Sequence, residues 1–108
     1  MESAIMVVTT TAPEEVAQNL AKLIVEARLA ACVQVVGPVQ SIYRWQGKIE
    51  SSAEWQCLCK TTIACYEPLE QWLLQHHPYQ TPEILAFPVV QGSVAYLNWL
   101  TEEVQPAK

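Results

Sequence analysis

The chain has 108 residues, of which 51% are hydrophobic and 16% charged, and its eleven acids, all Glu, outnumber six Lys and Arg to give a net charge of −5. That length is one domain's worth, residues 1–108, and the apolar content excludes disorder. The apolar run Ala4–Val8 is far short of the roughly 20 residues of a membrane span, and six scattered basic residues make no stripe for nucleic acid. A domain of about 100 residues leaves over a third of its unfolded surface exposed, so the surplus apolar surface is expected to meet other protein chains.

Ala4–Thr10 reads as a short buried strand, apolar and β-branched. Thr11-Ala12-Pro13-Glu14 has the form of a capping box with Thr11 as N-cap. The helix it opens puts Val16, Leu20, Leu23, Ile24 and Ala27 on one face and ends near Leu29. Cys32–Val36 begins a second strand, bent or bulged at Gly37-Pro38 and resumed over Val39–Trp45. Gln46-Gly47 makes a two-residue hairpin turn. Lys48–Thr62 returns, with Trp55, Cys57 and Cys59 on one face and Gln56, Leu58 and Lys60 on the other. A second helix runs from about Ala64 or Cys65 to His76 and stops at Pro78. Thr81–Val90 reads as an edge strand carrying Pro82 and Pro88. Ser93–Glu103 is a last helix with Ser93 as N-cap, and residues 105–108 form a loose tail.

The order β-α-β-β-α-β-α is that of an α+β, ferredoxin-like βαββαβ sandwich with an extra C-terminal helix. Its central hairpin is too long for it. Strands of about 14 residues reach roughly 45 Å, against roughly 23 Å for the first strand. The excess, carrying Ile42, Tyr43, Trp45 and Ile49, is marginal alone. Pairing with further copies of the chain in a closed ring removes the free edges; folding back on its own domain is the alternative.

Chemistry is sparse. Three glycines build no phosphate loop, no nucleophile elbow surrounds a serine, and the cysteines lack zinc spacing. Met1–Val8 has no basic n-region, so no secretory signal is expected, and reduced cysteines fit a cytoplasmic setting. His76 and His77 end a helix, where the dipole favours a cation. Capping and packing is one reading of this pair, and metal binding is the other. Tyr43, Trp45, Lys60, Tyr79, Glu83 and Trp99 could line a subunit-interface cleft for a small ligand. The alternative is an aromatic-rich interface with Lys60 and Glu83 paired. An enzyme reading would make a desolvated Lys60 the base or nucleophile, without an accompanying acid–base constellation.

Five stretches carry a resemblance: Ala30-Ala31-Cys32-Val33, Ser41–Glu50 with its Tyr-x-Trp-x-Gly-Lys, Lys60-Thr61-Thr62, His77–Ile84 with its His-Pro-Tyr-x-x-Pro-Glu, and Tyr96–Leu100. In this order, over nearly the whole chain, they resemble the CutA divalent-cation tolerance family. The resemblance implies a non-enzymatic homotrimer with an architecture like the PII signalling proteins, and a role in tolerance of divalent cations. It also implies copper as a candidate ion, with no obligatory cofactor. The family's copper ligands would fall on His76, His77 and a cysteine whose place Thr10 holds, and threonine is a poor soft-metal ligand. A trimeric scaffold or sensor with a small molecule or partner protein at its subunit clefts is the alternative.

Overall fold

In the computed structural model, which describes residues 3–104, one four-stranded antiparallel sheet of order β2-β3-β1-β4 carries three helices. The elements are β1 (Ala4–Thr11), α1 (Glu14–Glu26), β2 (Cys32–Trp45), β3 (Lys48–Thr62), a 3-10 turn over Ile63–Cys65, α2 (Tyr66–His76), β4 (Leu85–Pro88) and α3 (Val94–Glu103). This is the expected ferredoxin-like arrangement, with β4 at the edge beside β1. The expected tail over 105–108 lies outside the described residues.

Alternation along β1 places Ile5 and Val7 on the face that α1 and α2 cover. There they join Ala17, Ile24, Cys57, Cys59, Leu69 and Leu73 in the core. The buried stripe of α1 is Ala17, Leu20, Ala21 and Ile24, spaced as one helical face. It corrects the expected face by about one position, since Leu23 is 36% exposed. The small alanines let the helix backbone come close to the sheet, and the Cys57 thiol reaches the Ala17 carbonyl at 3.6 Å.

Two further expectations need correction. Thr11 is no helix cap. It ends β1 opposite Trp55, its side chain is buried, and Pro13 stands at the N-cap position. Pairing across the sheet has taken the backbone that a capping box would use. The last strand is also shorter than Thr81–Val90, because β4 pairs with β1 only over Ile5–Val8. Residues 79–84 instead form a loop beyond the end of α2. Ser93 does cap α3, accepting a hydrogen bond from the Tyr96 amide at 3.3 Å.

The long hairpin forms as expected. Its register runs unbroken from Val39 opposite Glu54 to Trp45 opposite Lys48, with one shift between Val36 and Val39. Gln46 (φ 50°) and Gly47 (φ 81°) both take left-handed backbone at the turn, the type I′ geometry that matches strand twist. β1 accompanies β3 only as far as Trp55, so among the described residues 39–54 pair only with each other. Ile42 and Ile49 on this overhang are 67% and 69% exposed.

At the irregularity, Gly37 lies against the Trp55 ring. A β-carbon there would sit 2.5 Å from Trp55 Cδ1 and 3.0 Å from the Glu54 carbonyl oxygen. Gly37→Ala is therefore expected to cost about 1–3 kcal/mol through overpacking, read as a lower urea midpoint at unchanged slope. An unchanged midpoint would mean that Trp55 yields freely.

Candidate functional site

The hairpin overhang and the 79–84 loop enclose a cleft of about 830 Å³. β2 contributes Ser41, Tyr43 and Trp45, β3 contributes Ser52 and Glu54, and the loop contributes Tyr79, Pro82 and Glu83, with Thr10 of β1 among the lining. Strand alternation explains the hairpin's share. Ser41 stands opposite Ser52 and Val39 opposite Glu54, so Ser41, Tyr43, Ser52 and Glu54 face the same way.

Tyr43, Trp45, Tyr79 and Glu83 are thus brought together as the sequence suggests, whereas Lys60 and Trp99 are not part of this lining within one chain. Lys60 lies six positions beyond Glu54, about 20 Å along the strand. It is paired with Met6 and Cys32 in the body of the sheet, and its ammonium donates to Gln34 Oε1 at 2.7 Å. Trp99 rides on α3, tilted against Tyr96 with ring centroids 5.4 Å apart. Lys60 and Glu83 thus do not meet within one chain among the described residues.

Sequence reasoning missed Glu54. It is 7% exposed, and its Oε2 accepts a hydrogen bond from Tyr79 Oη at 2.7 Å. Burial, aided by this bond to a carboxylate, pushes the Tyr79 hydroxyl up to about 12, so Tyr79 stays a neutral donor at physiological pH. The available signal was a lone acid inside the strand run Ala53-Glu54-Trp55-Gln56. Reading it as a cleft residue required knowing that the loop returns over it.

His77 anchors that loop. It is 8% exposed, follows α2, and has both ring nitrogens engaged. The Tyr79 amide donates to Nδ1 at 3.1 Å, which places the proton on Nε2 for donation to the Thr10 carbonyl at 2.9 Å. Its ring also meets Tyr79 edge-on at 4.8 Å. His76 points elsewhere, stacked on Trp72 at 4.1 Å, with Nδ1 donating to the Trp72 carbonyl at 2.8 Å. His76, His77 and Thr10 do not fit a copper centre as they stand. His77 has no free lone pair, Thr10 supplies no thiolate, and the described residues hold no group of three or more His, Cys, Asp or Glu side chains placed to bind an ion. The cysteines contribute no reactive thiolate in the core, where burial pushes the Cys57 thiol up to about 11 and Cys59 higher still.

Burial lowers the His77 proton affinity below the ordinary 6.5, outweighing the opposing pull of the Thr10 carbonyl and Glu54. The folded chain then binds fewer protons than the unfolded chain just below that value. Stability should therefore fall as pH drops through 6.5 toward the lowered folded value. The urea midpoint is expected to decline between pH 7.5 and 5.5, and His77→Gln should flatten that part of the curve. An identical decline in the variant would contradict this role.

Comparison with known proteins places this geometry. Residues 5–103 match the family described as CutA1 divalent ion tolerance protein. The divalent-cation tolerance protein CutA of Thermus thermophilus is 44% identical over 102 residues, covering 94% of this chain and 97% of that protein. The CutA1 crystal structure from Oryza sativa superposes with a TM-score of 0.95 at 32% identity, covering 98% and 97% of the two chains. A CutA from Synechococcus elongatus, solved in complex with a Bis-Tris molecule, superposes at 0.88 with 41% identity and 96% coverage of each chain. The fold and its residue pattern agree over nearly the full length, and the chain belongs to the CutA1 divalent ion tolerance family.

Proposed function

We propose that the chain works as a non-enzymatic homotrimer of PII-like architecture in the cytoplasm, in the response to divalent cations such as copper, with a small-ligand cleft beside each hairpin. The observation that carries this reading is the overhang. Residues 39–54 have no further neighbouring strand among the described residues of their own chain, and the free edge of β2 offers a ladder for another copy. Exposed apolar side chains beyond the hairpin support it, Val90 being 88% exposed and Val94 68%. Four free cysteines suit a reducing compartment. The ligand cleft is supported by the Glu54–Tyr79 pair within it and by the Bis-Tris complex of the Synechococcus relative. Lys60 and Trp99 would join it only from a neighbouring subunit. Cation tolerance in this reading belongs to the assembly and does not depend on a chelate at His76 and His77. In a bacterial strain deleted for its own CutA, expression of this chain should restore growth on copper where the deletion impairs it, and a hairpin-shortened variant should not. Rescue by a monomeric variant would overturn the reading.

A further inference from the structure

We propose that the cleft between the hairpin and the 79–83 loop binds a small organic ammonium ion, an inference that rests on reading this cleft as a ligand site. Its floor is a carboxylate. Glu54 is more than nine-tenths buried, Tyr79 Oη occupies its Oε2, and no donor among the described residues reaches its Oε1. Among the described residues of the same chain no lysine, arginine or histidine lines the cleft, while Glu83 adds a second carboxylate at its side, so that two carboxylates outnumber even the one Lys60 that a neighbouring subunit would bring. A buried carboxylate is costly without a counter-charge, so the cleft favours a cation, disfavours an anion and gains least from a neutral guest.

The rest of the lining selects the kind of cation. Tyr43, Trp45 and Tyr79 present aromatic rings, whose electron-rich faces attract ammonium groups and their attached alkyl carbons. The ring faces themselves give no ligand atoms to an inorganic ion, which would need several converging oxygen, nitrogen or sulfur ligands, and the described residues hold no group of three or more His, Cys, Asp or Glu side chains placed to supply them. The volume of about 830 Å³ lies in the range of organic ligand sites. The hydroxyls of Ser41 and Ser52 can serve polar substituents on the guest.

Three probes of one shape and different charge test this on the intact protein by titration calorimetry: choline, the neutral 3,3-dimethylbutan-1-ol, and the anionic 3,3-dimethylbutanoate. Choline is expected to bind at least about tenfold more tightly than the alcohol, and the carboxylate not at all. Glu54→Gln should remove most of choline's advantage over the alcohol. Glu83→Gln, on the exposed side of the cleft, should reduce it in a chain whose core is untouched. Equal affinity for choline and the alcohol would overturn the cation assignment and leave the ligand cleft standing. Silence from all three probes would overturn both. Choline binding unchanged in both Glu variants would place the site elsewhere and overturn the proposal.

Discussion

Replacing Tyr43–Glu50 with Asn-Gly is expected to turn the proposed trimer into monomers while leaving its secondary structure nearly intact. The shortened hairpin keeps Ile42 opposite Ser51, the register already present, and Asn-Gly suits the same turn type. The core under α1 and α2 lies at the other end of the sheet and is untouched. The deletion removes Trp45 and Ile49, and Ile42 loses its setting at the new turn. Each such side chain contributes roughly 1.5–3 kcal/mol when buried. Losing about 5–9 kcal/mol per subunit rivals the whole of a micromolar association, about 8 kcal/mol. Far-UV circular dichroism should change little while the sedimenting mass falls to about a third. A shortened chain that keeps its assembled mass would place the interface elsewhere.

His77→Ala and His76→Ala should separate sharply although the residues are neighbours. His77 is buried and holds both the Thr10 carbonyl and the Tyr79 amide. Its removal leaves two polar groups unpartnered and a void beneath the loop, at about 2–4 kcal/mol. His76 is exposed and loses one hydrogen bond and a stack on Trp72, about 0.5–1.5 kcal/mol. Chemical denaturation of the two variants gives this difference directly. Stoichiometric Cu(II) should not raise the melting temperature of the parent protein, because a ligand stabilises only what it binds when folded. A copper-dependent rise that disappears in both variants would restore the metal reading of the pair.

The strand order, the hairpin with its turn and bulge, and the three helices were legible because each leaves a local mark. Alternation marks Cys57 and Cys59, left-handed permissiveness marks Gly47, and a cap marks Ser93. The capping box at Thr11 misled because the same residues satisfy a rule that β1–β3 pairing overrides. The long last strand misled because β-propensity over 81–90 carries no information about how much of β1's edge is free. That second error bears on the site. Residues 79–84 leave the sheet and turn over the hairpin, so the cleft joins segments some 25 to 40 positions apart. Glu54 was invisible in consequence, since its meaning depends on Tyr79 reaching it across 25 positions. Lys60 and Glu54 share a face of one strand by alternation, yet the length of the strand separates them. Face can be read from a sequence, whereas distance along an overhang depends on where the neighbouring strand stops.

Sedimentation equilibrium of the intact protein at micromolar concentration bears most directly on the claim that the overhanging hairpin belongs to an assembly. Three copies of the 12.1 kDa chain give about 36 kDa, and that mass should persist on dilution through the micromolar range. A single species of 12.1 kDa would mean that the hairpin stands alone in solution, and would contradict the account.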